Sequence, residues 1–278
     1  MWILRKPSLT SAKRDIDILI QHCNNLNASH KPMLEQLYDE YDVGEGEVTE
    51  IQLRPLADKK NVIREQYKKT YHRDDGTGHL FYIRKSLMSK VQKCPYCSVN
   101  EPTQLDHYMD KGNYGQLATC RLNLVPLCGT CNWLKKDRTY KDFVHPYYQV
   151  LPHVPFLIAN CKVTNLCVSA SFSIDKSIIT DVKLYQRMNL QMAHVHLGRR
   201  LKGCVQEFIA SHFSYCNFTK DTELKAYLNV LLAQMQGVYE MNDWRTALVR
   251  GLMLCPQFNI AVVNNLKSKV TPINGIGA

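Results

Sequence analysis

The chain has 278 residues, of which 45% are hydrophobic and 22% charged, a globular balance that excludes a disordered or low-complexity chain. Thirty-five Lys and Arg against 25 Asp and Glu leave a net charge of +10, so a polyanionic partner is expected, nucleic acid ahead of a membrane surface. The stretch "MWILRKPSLTSAKRD" holds no apolar run long enough to read as a signal peptide, and no later run approaches ~20 apolar residues. Eleven cysteines, an odd number, argue against a disulfide framework and point to a reducing cytoplasm, with some thiols expected on metal and the rest buried.

Residues 1–43 carry helical spacing (Ile16, Leu19, Ile20, Cys23), and the acidic "DVGEGEVTE" at 42–50 reads as a link. From His79 to Lys93 the set Leu80, Ile83, Leu87, Met88 and Val91 lies on one helical face and predicts a helix running into Cys94. "TQLDHY" predicts a first strand, "NLVPLC" a second, and "GTCNWLKKD" a helix. Further on, "LPHVPFLIANCKV", "TN" and "LCVSASFSI" predict a hairpin, because Leu166, Val168, Ala170, Phe172 and Ile174 alternate with Cys167 and three serines. A long helix follows from a cap at Thr180 or Asp181 to about residue 210. Another carries Leu224, Leu228, Leu231 and Met235, and a last one starts near Asn242-Asp243. Residues 267–278 read as a frayed tail.

Two pairs, Cys94-x-x-Cys97 and Cys128-x-x-Cys131, have the spacing that lets both sulfurs of a tight turn meet one ion. Four thiolates close a tetrahedral shell and leave no position for water, so the expected zinc is structural. The 30-residue gap between the pairs exceeds the ~15–20 residues of an ordinary zinc ribbon, so a sizeable segment must loop out between them. Cys120, inside that segment, is expected to be buried.

The order Cys-x-x-Cys, Leu-Asp-His-Tyr, Asn-Leu-Val-Pro-Leu-Cys, x-x-Cys-Asn and a following Lys resembles the HNH endonucleases in their zinc-stapled ββα-metal form, over roughly residues 90–138. The predicted elements and cysteine pairs give an α+β fold, a small zinc-stapled unit embedded in a mostly helical scaffold with one β-hairpin, and the resemblance implies the ββα-metal form for that unit. The parts of the chain would be an N-terminal helical arm (1–89), the nuclease unit (90–145) and a C-terminal hairpin and helical arm (146–278). The resemblance implies His107 as the general base, Asp106 and Asn132 as ligands of one catalytic Mg2+ or Mn2+, and Asn123 as the brace of the loop that aims His107. Lys135 and Lys136 would meet phosphate. Adjacent strand residues point to opposite faces, so a twist or bulge at the strand end is expected to bring Asp106 and His107 together.

Relatives commonly carry "DHYLPK" where this chain reads "DHYMDK", so Asp110 replaces a proline and adds negative charge. The expected activity is metal-dependent hydrolysis of DNA, and the resemblance extends to nucleases of bacterial anti-phage defence systems, with an ATPase or other regulatory subunit as partner. The alternative is a zinc-stapled nucleic-acid-binding or assembly module without cleavage. His194 and His196, two apart on the predicted helix, make a poor metal pair. His72, His79, His145 and His153 receive no role. "GRRLK" at 198–202 reads as a solvated helix face, and no Gly-rich phosphate loop is present.

Overall fold

The computed structural model describes residues 2–71, 78–136 and 138–268, so His72, Asp137 and the tail beyond residue 268 lie outside it. The class is mixed α+β, with two small antiparallel hairpins and a four-cysteine cluster among many helices. The chain divides after Leu151 into two compact units, and residues 1–89 and 90–145 belong to the same one.

In the first unit, α1 (Leu9–His22) and α2 (His30–Val43) pack together through Ile16, Leu19, Leu34 and Leu37, all nearly inaccessible to solvent. The link after α2 turns sharply at Glu45 and Gly46, both with positive φ. Gly46 is required there, since a Cβ would lie 2.3 Å from the His145 ring. Two short helices follow, α3 (Glu50–Leu53) and α4 (Lys60–Gln66), neither anticipated from the sequence. A 3₁₀ turn over Tyr67–Thr70 continues from α4.

Next comes α5 (Phe81–Met88), which is shorter than the expected helix over 79–93. Residues beyond Met88 leave the helix because the chain must turn into the first knuckle, where Cys94 N–H donates to Asn100 O. β1 (Gln104–His107) and β2 (Leu124–Leu127) pair antiparallel, with Asp106 opposite Val125 and His107 opposite Leu124. α6 (Gly129–Lys135) then starts on the second knuckle, capped by the Cys128 sulfur, which accepts from Cys131 N–H.

The second unit opens with β3 (Leu157–Thr164) and β4 (Cys167–Ile174), so the predicted hairpin is present. Its turn is Asn165-Leu166, one residue later than the expected Thr164-Asn165, and both turn residues have positive φ. The expected long helix is two: α7 (Val182–His194), capped by Asp181, and α8 (Leu197–Phe213). A helix advances about 100° per residue, so Leu197 would fall off the stripe that Leu184, Met188, Gln191 and Val195 bury. His196, at φ 50°, resets that phase and puts Leu197 at the start of a new buried stripe. α9 (Asp221–Val238), α10 (Trp244–Met253, capped by Asp243) and α11 (Ile260–Ser268) complete the unit, the last unforeseen. No helix of the described residues is long and apolar enough to cross a membrane.

Candidate metal and catalytic site

Cys94, Cys97, Cys128 and Cys131 are buried, and their Sγ atoms all lie within 4.8 Å of one another. The Cys97 and Cys128 sulfurs are 3.9 Å apart. Tetrahedral Zn–S bonds of about 2.3 Å place sulfurs about 3.8 Å apart, so the group could hold a structural zinc ion. Local backbone serves the same end. Ser98 takes positive φ, which turns the Val99 N–H onto the Cys97 sulfur at 3.5 Å. Hydrogen bonds from Cys131, Cys94 and Cys97 hold the Cys128 thiol far below an ordinary one, while hydrogen bonding to Cys128 pushes Cys131 up. A cation among the four relieves that conflict by favouring every thiolate.

With its two ends stapled, the segment 98–127 presents β1 as an edge strand. β2 covers one edge of β1; the other is capped by side chains. The Tyr67 hydroxyl donates to Leu105 O, and Lys135 Nζ donates to His107 O at 2.7 Å and to Tyr108 O at 3.2 Å. Pro126, with no N–H to donate, stands opposite Leu105.

A cleft of about 710 Å³ runs along this edge, lined by Gln104, Asp106, His107, Asn132, Lys135 and Lys136, with Lys111, Trp133 and Arg138 at the same wall and Tyr67 and Tyr71 contributed by the 67–71 segment. The pairing of β1 with β2 runs in register through His107, so the expected bulge is absent. Asp106 and His107 still line one cleft because it follows the strand edge, which residues of both faces reach.

His107 is 5% exposed, with the Tyr67 ring edge-on at 4.2 Å. Its Nε2 lies 2.9 Å from Ala118 O. A carbonyl only accepts, so Nε2 carries the proton and Nδ1 is the lone-pair nitrogen. Burial lowers the His107 pKa to about 3, reinforced by the Lys111 and Lys135 charges, which keeps the imidazole neutral at pH 7.

Asp106 Oδ2 pairs with Lys135 Nζ at 2.7 Å in the cleft wall. Burial nevertheless raises the Asp106 carboxyl above its usual range, since Lys135 offsets only part of the desolvation. The Asn132 amide donates to the Gln104 side-chain oxygen. Lys135 therefore turns inward onto Asp106 and the strand-end carbonyls, whereas Lys136 is exposed at the rim.

Asn123 is fully buried and spans the loop after β1. Its Oδ1 accepts from Met109 N–H at 2.8 Å, and its Nδ2 donates to Met109 O at 3.0 Å and to Leu117 O at 3.4 Å. Leu117 precedes Ala118, the residue that fixes His107, so Asn123 holds both sides of the loop that orients the imidazole. Asp110 accepts from Asn113 N–H at 2.8 Å and from its Nδ2 at 3.1 Å, which closes the turn after β1.

Residues that the sequence did not single out complete the arrangement. Tyr41 donates to Asn123 Oδ1 at 3.0 Å and lies 3.1 Å from His145 Nε2. His145 Nδ1 accepts from Tyr147 N–H, so Nε2 carries the proton that donates to Tyr41. Asp15 and Arg121 form a buried two-bond ion pair, at 2.5 and 2.6 Å, tying α1 to the loop beside Asn123. Nothing in the periodicity of α1 or α2 marks these contacts, because each spans 80 residues or more. The burial of Cys120 agrees with expectation.

No family model matches the chain, and no solved structure matches it. "Protein ea31" of Escherichia phage lambda is 27% identical over 110 residues, a stretch covering 37% of this chain and 33% of the relative.

Proposed function

We propose that the chain is a metal-dependent HNH-type endonuclease that hydrolyses phosphodiester bonds of DNA, with His107 as general base. The observation that carries the reading is the His107 ring itself: Nε2 is committed to Ala118 O, which leaves Nδ1 as the lone-pair nitrogen of a residue that lines one cleft with Asp106 and Asn132. A neutral imidazole fixed in one tautomer can take the proton of an attacking water as it adds to phosphorus. Asn123 restrains both arms of the loop that orients the ring, which limits its excursion from the reacting geometry.

Asp106 and Asn132 would hold a hard divalent cation, Mg2+ or Mn2+, through oxygen. The fit rests on the donor set alone: Lys135 Nζ already pairs with Asp106 Oδ2, so the cation would take Oδ1 or displace that ammonium. When bound, that ion supplies charge neutralisation on the phosphate and the leaving oxygen. Lys111, Lys136 and Arg138 surround the cleft with cations suited to the backbone on either side of the scissile bond. By resemblance the products carry a 5′-phosphate and a 3′-hydroxyl. An ATPase or other regulatory partner, and a defence role, rest on the resemblance alone, and the name of the phage lambda relative states no activity.

The test is incubation of the purified zinc-loaded chain with supercoiled plasmid. Mg2+ or Mn2+ should support nicking or linearisation, omission of both should stop it, and the product ends should be ligatable. An intact plasmid with both ions, alongside salt-dependent binding, would favour the alternative of a zinc-stapled binding module.

A further inference from the structure

Three tryptophans take two contrasting positions in this chain. Trp2 is 1% exposed and Trp244 3%, both serving the core, whereas Trp133 on α6 is 72% exposed and contributes to the wall of the cleft. An indole left so far in water does little for stability, since the apolar area it could bury remains wet. It directly follows Asn132 and shares the cleft wall with Lys136, Arg138 and Lys111. Aromatic faces interleaved with cations form the arrangement that holds unpaired nucleotides: bases stack on the ring while the cations track the phosphates.

The depth of the site points the same way. His107 is 5% exposed beneath the Tyr67 ring, so a phosphodiester must descend into the cleft to reach it. A flexible strand can bend in and leave one base on Trp133; a fully paired backbone must first lose its pairing, at the cost of base stacking. We infer that Trp133 is a stacking subsite for an unpaired nucleobase next to the scissile phosphate, which makes the preferred substrate a single-stranded or locally unpaired DNA. This inference rests on the nuclease reading for the use of the cleft, but its test is binding alone.

The experiment uses the full zinc-loaded chain carrying His107→Ala, so that the DNA stays whole, and measures affinity for one oligonucleotide presented as a single strand and as a blunt duplex. Adding Trp133→Ala should weaken single-strand binding by roughly tenfold. Trp133→Phe, which keeps an aromatic face, should restore most of the affinity, and duplex binding should be the same in all three proteins. Quenching of tryptophan fluorescence by the single strand should vanish with Trp133→Ala. Equal losses on both DNA forms, no loss on either, or no binding to either would overturn the inference. Because Trp133 is exposed, an unchanged melting temperature separates these effects from misfolding. Plasmid cutting by the wild type, together with single-strand binding that does not depend on Trp133, leaves the nuclease reading standing and removes this one. Trp133-dependent single-strand binding by a chain that never cuts does the reverse.

Discussion

The two hairpins of this protein are built by opposite means. β3–β4 pairs eight residues with eight across a two-residue turn, and its faces alternate between core and solvent. β1–β2 pairs four with four across a 16-residue connection, every residue of β2 is buried, and its polar residues face a cleft. The first is local, so its closing entropy is small and a repeating pattern is enough to specify it. Four pairs closed by a long loop cannot hold themselves. The second is held by side chains distant in sequence: four cysteines, the Asp15–Arg121 pair, and the Tyr41–Asn123 bond. A site that must place an imidazole and a carboxylate precariously near cations needs such external fastening.

That contrast can be broken from the metal side first. Cys131→Ser, or stripping zinc with a strong chelator, should abolish amide protection in β1–β2, since structural zinc contributes about 10–16 kcal/mol where it is bound. Protection in β3–β4 should persist. Hydrogen exchange reads both hairpins in one sample, and elemental analysis should find one zinc per intact chain. A smaller loss is expected from Arg121→Ala, which leaves the Asp15 carboxylate buried without its guanidinium partner. The expected cost is about 3–5 kcal/mol in urea unfolding of the first unit at neutral pH. The smallest effect has the opposite sign and belongs to the local hairpin. Leu166, 41% exposed, occupies the second turn position at φ 60°, where glycine is favoured over a branched side chain. Leu166→Gly should therefore raise the melting temperature of the second unit, with a stabilisation of about 1 kcal/mol.

The same contrast explains what could be read in advance. The cysteine spacing announced the knuckles because thiolate pairs need that geometry, and the alternation through "LCVSASFSI" announced β4 because one face is drier than the other. The fold class followed from those two signals and the helical stripes. The break at His196 was hidden because apolar residues continue on both sides of it; only their phase changes. α3 and α4 were missed because four- and seven-residue helices give too few turns for a period to emerge. At the site, Asp106, His107 and Asn132 stand in one cleft as their motif positions suggest, while the inward turn of Lys135 and the Tyr41–His145 support are tertiary facts with no local pattern. Trp133 is one residue of the predicted helix "GTCNWLKKD", and nothing in that pattern marks it as exposed beside a half-buried Leu134 and a buried Lys135.

Under the proposed function, the β1–β2 hairpin offers the His107 imidazole to a phosphodiester. The most direct measurement is the rate of plasmid nicking in Mg2+ by the wild type and by His107→Ala, each with its zinc content and melting curve checked. The expected result is cutting by the wild type and a loss of at least about 100-fold in the variant, the lower range for removal of a general base, with zinc and fold retained. Cutting at the wild-type rate by a folded, zinc-loaded His107→Ala chain would contradict it.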